Sequence, residues 1–262
     1  MGFRYGSTAR FVYRSLFLLP VVLAALAQAE WKILSSESEP GRGAIEHRHM
    51  VVEDSASQRA TVDVAVFSAK SIALRVIDNP DSQSLAAVMK REKYACGVNG
   101  GYFDGEFKPI GLRVTDGKTF SPLRRARLIT GILVQSDRGI DVMRVGEFSR
   151  TKKIATAIQS GPFLVEGNKR IRGLNDSQLA QRTFAGVATN DRAFLGVCSD
   201  VSLGQMADIL ATLPIVADSK VRRAMNLDGG SSTAFWFARE DGSAFSISSR
   251  KPVRDFVGVM PR

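Results

Sequence analysis

The chain has 262 residues, 44% of them hydrophobic, and 36 Lys and Arg against 26 Asp and Glu give it a formal charge of +10. That length suits one large domain or two small ones, and the apolar content excludes a disordered chain. A basic balance favours anionic partners, but no Lys/Arg run interleaved with aromatics is present, which argues against nucleic acid as the partner.

The chain opens on a leader pattern. Arg4, Arg10 and Arg14 precede an apolar run from Leu16 to Ala27, shorter than the roughly 20 residues of a membrane-spanning helix. Ala27-Gln28-Ala29 is a small-x-small cleavage signature, so residues 1–29 read as a secretory signal cut after Ala29, with an uncleaved anchor as the alternative. No cysteine follows that would carry a lipid. Cleavage removes three arginines and no acid, lowering the formal charge to +7. The expected product is exported, periplasmic or secreted, with no stable membrane insertion.

Residues 30–60 read as a first strand and a lead-in, with "SSESEPGRGA" at 35–44 as its linker-like piece. Strand patterns dominate from residue 61 onward. "TVDVAVFSA" alternates Val62, Val64 and Val66 with smaller or polar residues, the period of a strand with one buried face. "GILVQSDRGIDVMRV" divides at 136–139, "FLVEGNKRI" at Gly167-Asn168, "FAGVATNDRAFLGV" at Asn190-Asp191 and "FWFAREDGSAFSI" at Asp241-Gly242, each with hairpin-turn chemistry. Two segments read as helical: 79–94, with a turn-and-cap start and then good helix formers, and 202–213. The second carries a capping box, Ser202 with Gln205 three residues on. The fold class is therefore α+β: a mostly antiparallel or mixed twisted sheet packed with a few helices.

The chemistry is bounded by what is missing. The two histidines, His47 and His49, would share one strand face but have no apparent third metal ligand. No G-x-S-x-G elbow, H-E-x-x-H pair or P-loop lysine occurs. Cys96 and Cys198 sit in apolar strand contexts, compatible either with a disulfide or with two buried thiols. Catalysis must then rest on carboxylates, hydroxyls, amides and arginines, and these gather at four glycine-marked places. "GVNGGYFDGEF" offers Asn99, Gly100, Gly101, Tyr102 and Asp104; "IQSGPFLVEG" offers Gln159 and Ser160; "QRTFAGV" offers Arg182 and Thr183. The fourth, "NLDGGSST", offers Asp228, Gly229, Gly230, Ser231, Ser232 and Thr233. Two glycines inside a strand pattern there demand a sharp turn or a close approach to the backbone.

Taken in order, "NGGYF", "PIGLRV", "QSGPFLV", "RTFAGV", the "SLGQMADIL" helix leading into "MNLDGGSST", and the closing "RKPVRDFVGVMP" resemble the phosphodiester glycosidase, or NAGPA-domain, family. The resemblance covers 61–262. Two features depart from it: the family often has three glycines after the aspartate where this chain has two, and Phe184 stands where a smaller residue is more common. The resemblance implies hydrolysis of a sugar-1-phosphodiester on an exported glycan or glycoconjugate, with a phosphorylated sugar or anionic glycan as partner. Asp228, and secondarily Asp104, are then the catalytic carboxylates, and Arg182 with the amides of 229–231 forms the phosphate pocket. The remaining polar residues named above would orient substrate. No cofactor is required, although a divalent cation held by Asp228 would also suit the phosphate. The alternatives are a non-catalytic glycan-binding or envelope and exopolysaccharide assembly protein, and a glycosidase acting on an ordinary glycan.

Overall fold

The computed structural model describes residues 1–3, 30–149 and 153–262; the signal segment read from the sequence lies largely outside the described residues. The strands in chain order are β1 (Lys32–Gly41), β2 (Ile45–Glu53), β3 (Arg59–Ser68), β4 (Ile72–Asp78), β5 (Cys96–Asn99), β6 (Arg113–Thr115), β7 (Lys118–Ser121), β8 (Gly131–Ser136) and β9 (Gly139–Arg144). They continue with β10 (Ile154–Ser160), β11 (Phe163–Glu166), β12 (Lys169–Arg170), β13 (Ala180–Ala188), β14 (Arg192–Val201), β15 (Val221–Asn226), β16 (Phe235–Ala238), β17 (Ala244–Ile247) and β18 (Asp255–Pro261). Helix α1 (Leu85–Arg91) lies between β4 and β5, and α2 (Leu203–Thr212) between β14 and β15.

Three sheets result: an eight-stranded one ordered β1-β2-β3-β14-β13-β15-β11-β12, and two five-stranded ones ordered β7-β6-β10-β8-β9 and β17-β16-β5-β18-β4. Every strand pairing is antiparallel. The expectation of an α+β fold is thus met in its coarse form; the molecule is predominantly β, with two helices among the described residues and no mixed sheet. Hairpin chemistry explains much of this. Gly167 and Asn168, and Asn190 and Asp191, have positive φ at both central positions, the turn geometry that follows the right-handed twist of the paired strands.

The central core is shared by all three sheets. Phe67, Leu74, Val98, Leu133, Ile158, Phe163, Leu195, Phe235 and Val257 meet in it. A second cluster covers the opposite face of the eight-stranded sheet, where Trp31, Val62, Val64, Phe184 and Phe194 pack with Met206, Ile209 and Leu210 of α2. Strand β3 is consequently buried on both faces, where its alternation suggested one. The Val62, Val64 and Val66 face packs in the cluster with α2, and the second face is buried because Ala65 and Phe67 enter the central core shared with the other two sheets, a tertiary cover that the strand pattern alone does not disclose. The "SSESEPGRGA" segment is also not a linker: its first seven residues lie in β1, paired with β2 along its length. As an edge strand it has solvent on most sides, which accounts for its polar composition.

Ser202 and Gln205 make the reciprocal capping box at the start of α2, as the spacing indicates. The turn-and-cap start of 79–94 is present before α1: residues 79–83 form a turn around Asn79, whose side chain bonds Gln83 and the Val253 carbonyl, and Ser84 is the cap. Removing the α2 cap by Ser202→Ala is expected to cost about 1 kcal/mol, seen as a lower urea midpoint at unchanged slope.

Candidate active site

The ends of β5, β10 and β15 and the start of β13 converge, so that each of the three sheets contributes to one site. Asn99, at the end of β5, is fully buried and acts as the stitch. Its Oδ1 accepts from Thr183 Oγ1 at 2.6 Å and from the Ala234 amide at 3.0 Å, and its Nδ2 donates to the Asp228 carbonyl at 2.7 Å. The Asp228 amide in turn donates to Gly100 O at 3.0 Å, and the Leu227 amide to Thr183 O at 2.8 Å. Asn99, Gly100, Thr183 and Asp228 are therefore brought together, with the first three fixing the backbone that carries the carboxylate.

The two glycines after Asp228 have separate causes. A Cβ on Gly229 would sit 2.7 Å from the Gln181 carbonyl, so β13 passes too close for any side chain. Gly230 has φ +62 and open space around it, so its demand is conformational. A single 3-10 turn, Gly230–Ser232, follows. The Gly229 amide caps Asp228 Oδ1 at 2.9 Å, which leaves the Gly230 and Ser231 amides as the donors of this turn without a protein acceptor among the described residues.

The Asp228 carboxyl has its pKa raised, chiefly by burial; its bonds from Ser232 and Gly229 oppose the shift, as does Arg113, while Asp255 adds to it. Tyr102 faces the same region. Its hydroxyl donates to Gly161 O at 2.7 Å and accepts from Asn226 Nδ2 at 3.1 Å. Burial first, and then the charge of Asp228, push its pKa up to about 12, so the phenol stays protonated at neutral pH. Arg182 also acts on Tyr102 electrostatically. The guanidinium is buried and held by two carbonyls, Val201 O at 2.9 Å and Gln178 O. It has no carboxylate partner within salt-bridge distance among the described residues. Its hydrogen bonds go to carbonyls and Asp200 acts on it without a salt bridge, so the buried cation keeps an attraction for an anion. Burial lowers its pKa, with nearby Tyr102, Cys198 and Asp200 opposing.

Ser160 Oγ, Thr233 Oγ1 and Asn226 Oδ1 are buried without hydrogen-bond partners, the condition of groups that await a ligand or water. Asn226 was not among the candidates read from sequence. The usable signal was its position two before Asp228, which places both on one face of an extended segment.

Two sequence candidates lie outside this constellation. Asp104 is exposed at a hairpin turn, where its Oδ1 caps the amides of Glu106 at 3.0 Å and Lys108 at 2.9 Å. Gln159 is fully buried with its amide consumed by backbone: Oε1 accepts from Leu112 N and Arg124 N, and Nε2 donates to Arg124 O and Ile129 O. It clamps the 112–129 segment. Cys96 and Cys198 are buried free thiols on different sheets, their pKa values raised by burial. His47 and His49 both reach Asp63 Oδ1, at 3.0 and 2.9 Å, and among the described residues no cluster of three or more ligating side chains could hold a metal.

The support beneath the site is a fully buried ion pair, Arg113 Nε to Asp255 Oδ2 at 2.8 Å. Asp255 Oδ1 accepts the Gly101 amide at 2.8 Å, and Arg113 donates to the carbonyls of Tyr102, Leu112 and Gln159. A Cβ on Gly100 would collide with Asp255, and one on Gly101 with Arg113, which explains the paired glycines of "NGGYF".

The phosphodiester glycosidase family model, NAGPA, matches residues 92–260, more than half the chain. The chain belongs to the phosphodiester glycosidase family. The catalytic domain of zebrafish N-acetylglucosamine-1-phosphodiester alpha-N-acetylglucosaminidase, auto-inhibited by its pro-peptide, superposes with a TM-score of 0.61 at 15% identity, covering 87% of this chain and 88% of that one. A hypothetical protein from Synechocystis superposes with a TM-score of 0.58 at 15% identity, covering 89% of this chain and 68% of that one. At these identities the likenesses establish a shared fold. The comparison with curated proteins gave no significant match. No helix among the described residues is long and apolar enough to cross a membrane.

Two outcomes follow for this phosphodiester glycosidase domain. Removing one partner of the buried pair, as in Asp255→Ala, is expected to cost about 3–5 kcal/mol in urea denaturation. For Asp228, a raised native pKa means that the native state binds more protons than the unfolded chain between the two pKa values, so stability falls as pH rises through that window. Asp228→Asn removes the cost: its melting temperature should exceed that of the native protein at pH 7. The difference should vanish below the ordinary carboxyl pKa of about 3.9.

Proposed function

We propose that the protein is an exported hydrolase that cleaves a sugar-1-phosphodiester at the anomeric carbon. The observation that carries this reading is that Asn99 ties the backbone of the half-buried Asp228 to Thr183, the neighbour of a buried Arg182 guanidinium with no carboxylate within salt-bridge distance among the described residues. Phosphate is a good leaving group, so the reaction demands less leaving-group protonation than an ordinary glycoside does. It demands an anion cradle, stabilisation of an oxocarbenium-like centre, and delivery of water or a nucleophile.

Arg182, with the planar fork suited to two phosphate oxygens, holds the departing monoester, and the free amides of Gly230 and Ser231 add donors on the other side. Asp228 acts at the anomeric carbon. Tyr102, whose proton goes to Gly161 O and whose oxygen accepts from Asn226 Nδ2, holds those groups in place, and the unpartnered oxygens of Ser160, Asn226 and Thr233 meet sugar hydroxyls. Asp104 has no part in this reading, because its carboxylate is spent on its own turn. Asp255 is likewise spent on Arg113 and Gly101, leaving Asp228 as the carboxylate of the site. The zebrafish relative's name supports N-acetylglucosamine-1-phosphodiesters as the first substrates to try.

The test is a phosphorus NMR time course with N-acetylglucosamine-1-phosphate methyl ester and a small set of other sugar-1-phosphodiesters. The native protein should release phosphomonoester, and Asp228→Asn should be slower by at least about a hundredfold. Arg182→Ala should lower kcat/KM on phosphodiesters. Saturable binding without release from any member of the set would favour the non-catalytic glycan-binding alternative. Equal release by native protein and Asp228→Asn would discard the carboxylate assignment.

A further inference from the structure

Resting on that reading, we infer that the group beyond the phosphate is a hydrocarbon chain, so that the substrate is a sugar phosphate esterified to a lipid-like alcohol. Beside the site lies a cleft of about 950 Å³ lined mainly by apolar side chains, among them Phe103, Ile110, Leu128, Ile129, Leu174 and Leu203. It is joined to the site by two residues. Tyr102 lines the cleft while its hydroxyl sits in the site, and Pro162 lines it directly after Gly161, whose carbonyl receives Tyr102 and Asn226. The far wall includes Leu174 and Asn175. That loop runs on to Gln178, whose carbonyl holds the Arg182 guanidinium. A phosphate on Arg182 therefore has the cleft within reach of its second ester oxygen.

Three further observations select a hydrocarbon with an anionic head as occupant. The lining is chiefly aliphatic and supplies few hydrogen-bonding side chains, which suits neither a sugar nor a peptide. Leu128 is 68% exposed, an isolated cost that a bound chain would remove. The "LRRARL" run places exposed Arg124, Arg125 and Arg127 on the same segment, with no carboxylate partner among the described residues, so positive charge borders the apolar surface where an anionic head would lie. The wall is also pre-formed, because the buried Gln159 amide pins Arg124 and Ile129 by their backbones.

The proposal is tested without hydrolysis, by titration calorimetry of butyl and octyl phosphate into the native protein and into Leu128→Asp and Leu174→Ser. Full burial would tighten binding by about fourfold per methylene, and incomplete burial by less. Octyl phosphate is expected to bind at least about tenfold more tightly than butyl phosphate, and both variants should lose most of that ratio. Leu128 is exposed, so its variant keeps the test valid even if the Leu174 variant folds poorly. Equal affinities for the two phosphates, or a ratio that survives Leu128→Asp in folded protein, would overturn the proposal. Failure of the glycosidase reading is separately visible. Chain-length-dependent binding with no cleavage of any diester leaves the cleft assignment standing and removes the reaction, whereas cleavage with no chain-length effect does the reverse.

Discussion

The Arg113–Asp255 pair, with both side chains withdrawn from water, is the contact on which the site's geometry depends. Two charges in such a place are expensive unless every remaining donor and acceptor is satisfied. Here they are: the aspartate's second oxygen takes the Gly101 amide, and the guanidinium bonds carbonyls from the Tyr102 and Leu112 segments and from Gln159. The pair ties β6 of one five-stranded sheet to β18 of the other. It also holds the Gly100-Gly101 backbone against itself, which leaves Tyr102 directed toward Asn226 and Gly161.

From that anchor the division of labour follows. The Asn99 and Gln159 amides have their hydrogen-bonding capacity consumed in holding backbone, and the Thr183 hydroxyl is consumed in holding Asn99. Others retain unused capacity: the Asp228 carboxylate, the Arg182 guanidinium and the orphan oxygens of Ser160, Asn226 and Thr233. A protein optimised only for stability would pair or bury these groups differently. Their concentration at the meeting of three sheets is what singles this place out as the candidate site.

Local signals were the ones legible in the sequence. The α2 capping box, the hairpin turns and the glycines after Asp228 each report a backbone requirement met within a few residues. What stayed hidden was tertiary. The composition of Gln159 does not tell a substrate ligand from a clamp, and only the four backbone groups around it decide. Asp104, the secondary carboxylate candidate, has a spelling that fits an Asp-Gly turn as well as a site, and its bonds to the Glu106 and Lys108 amides are those of the turn. Arg113 and Asp255 were quoted within matched motifs, but their union across 142 positions of chain could not be read from either. The 35–44 segment looked like a linker because an exposed edge strand has a linker's composition.

The construction of the third sheet has a consequence for how the molecule comes into being. Its central strand β5, which ends in Asn99, pairs only with β16 and β18, strands made more than a hundred residues later. Neither the stitch at Asn99 nor the partner of Arg113 is in place until almost the whole chain from β5 onward has been delivered. Such non-local closure makes folding slow, and it makes the chemistry conditional on completeness. A nascent or partly threaded chain carries every upstream polar group of the site yet lacks the surface that organises them. The candidate site is thus a late product of folding, incomplete until the last strand docks.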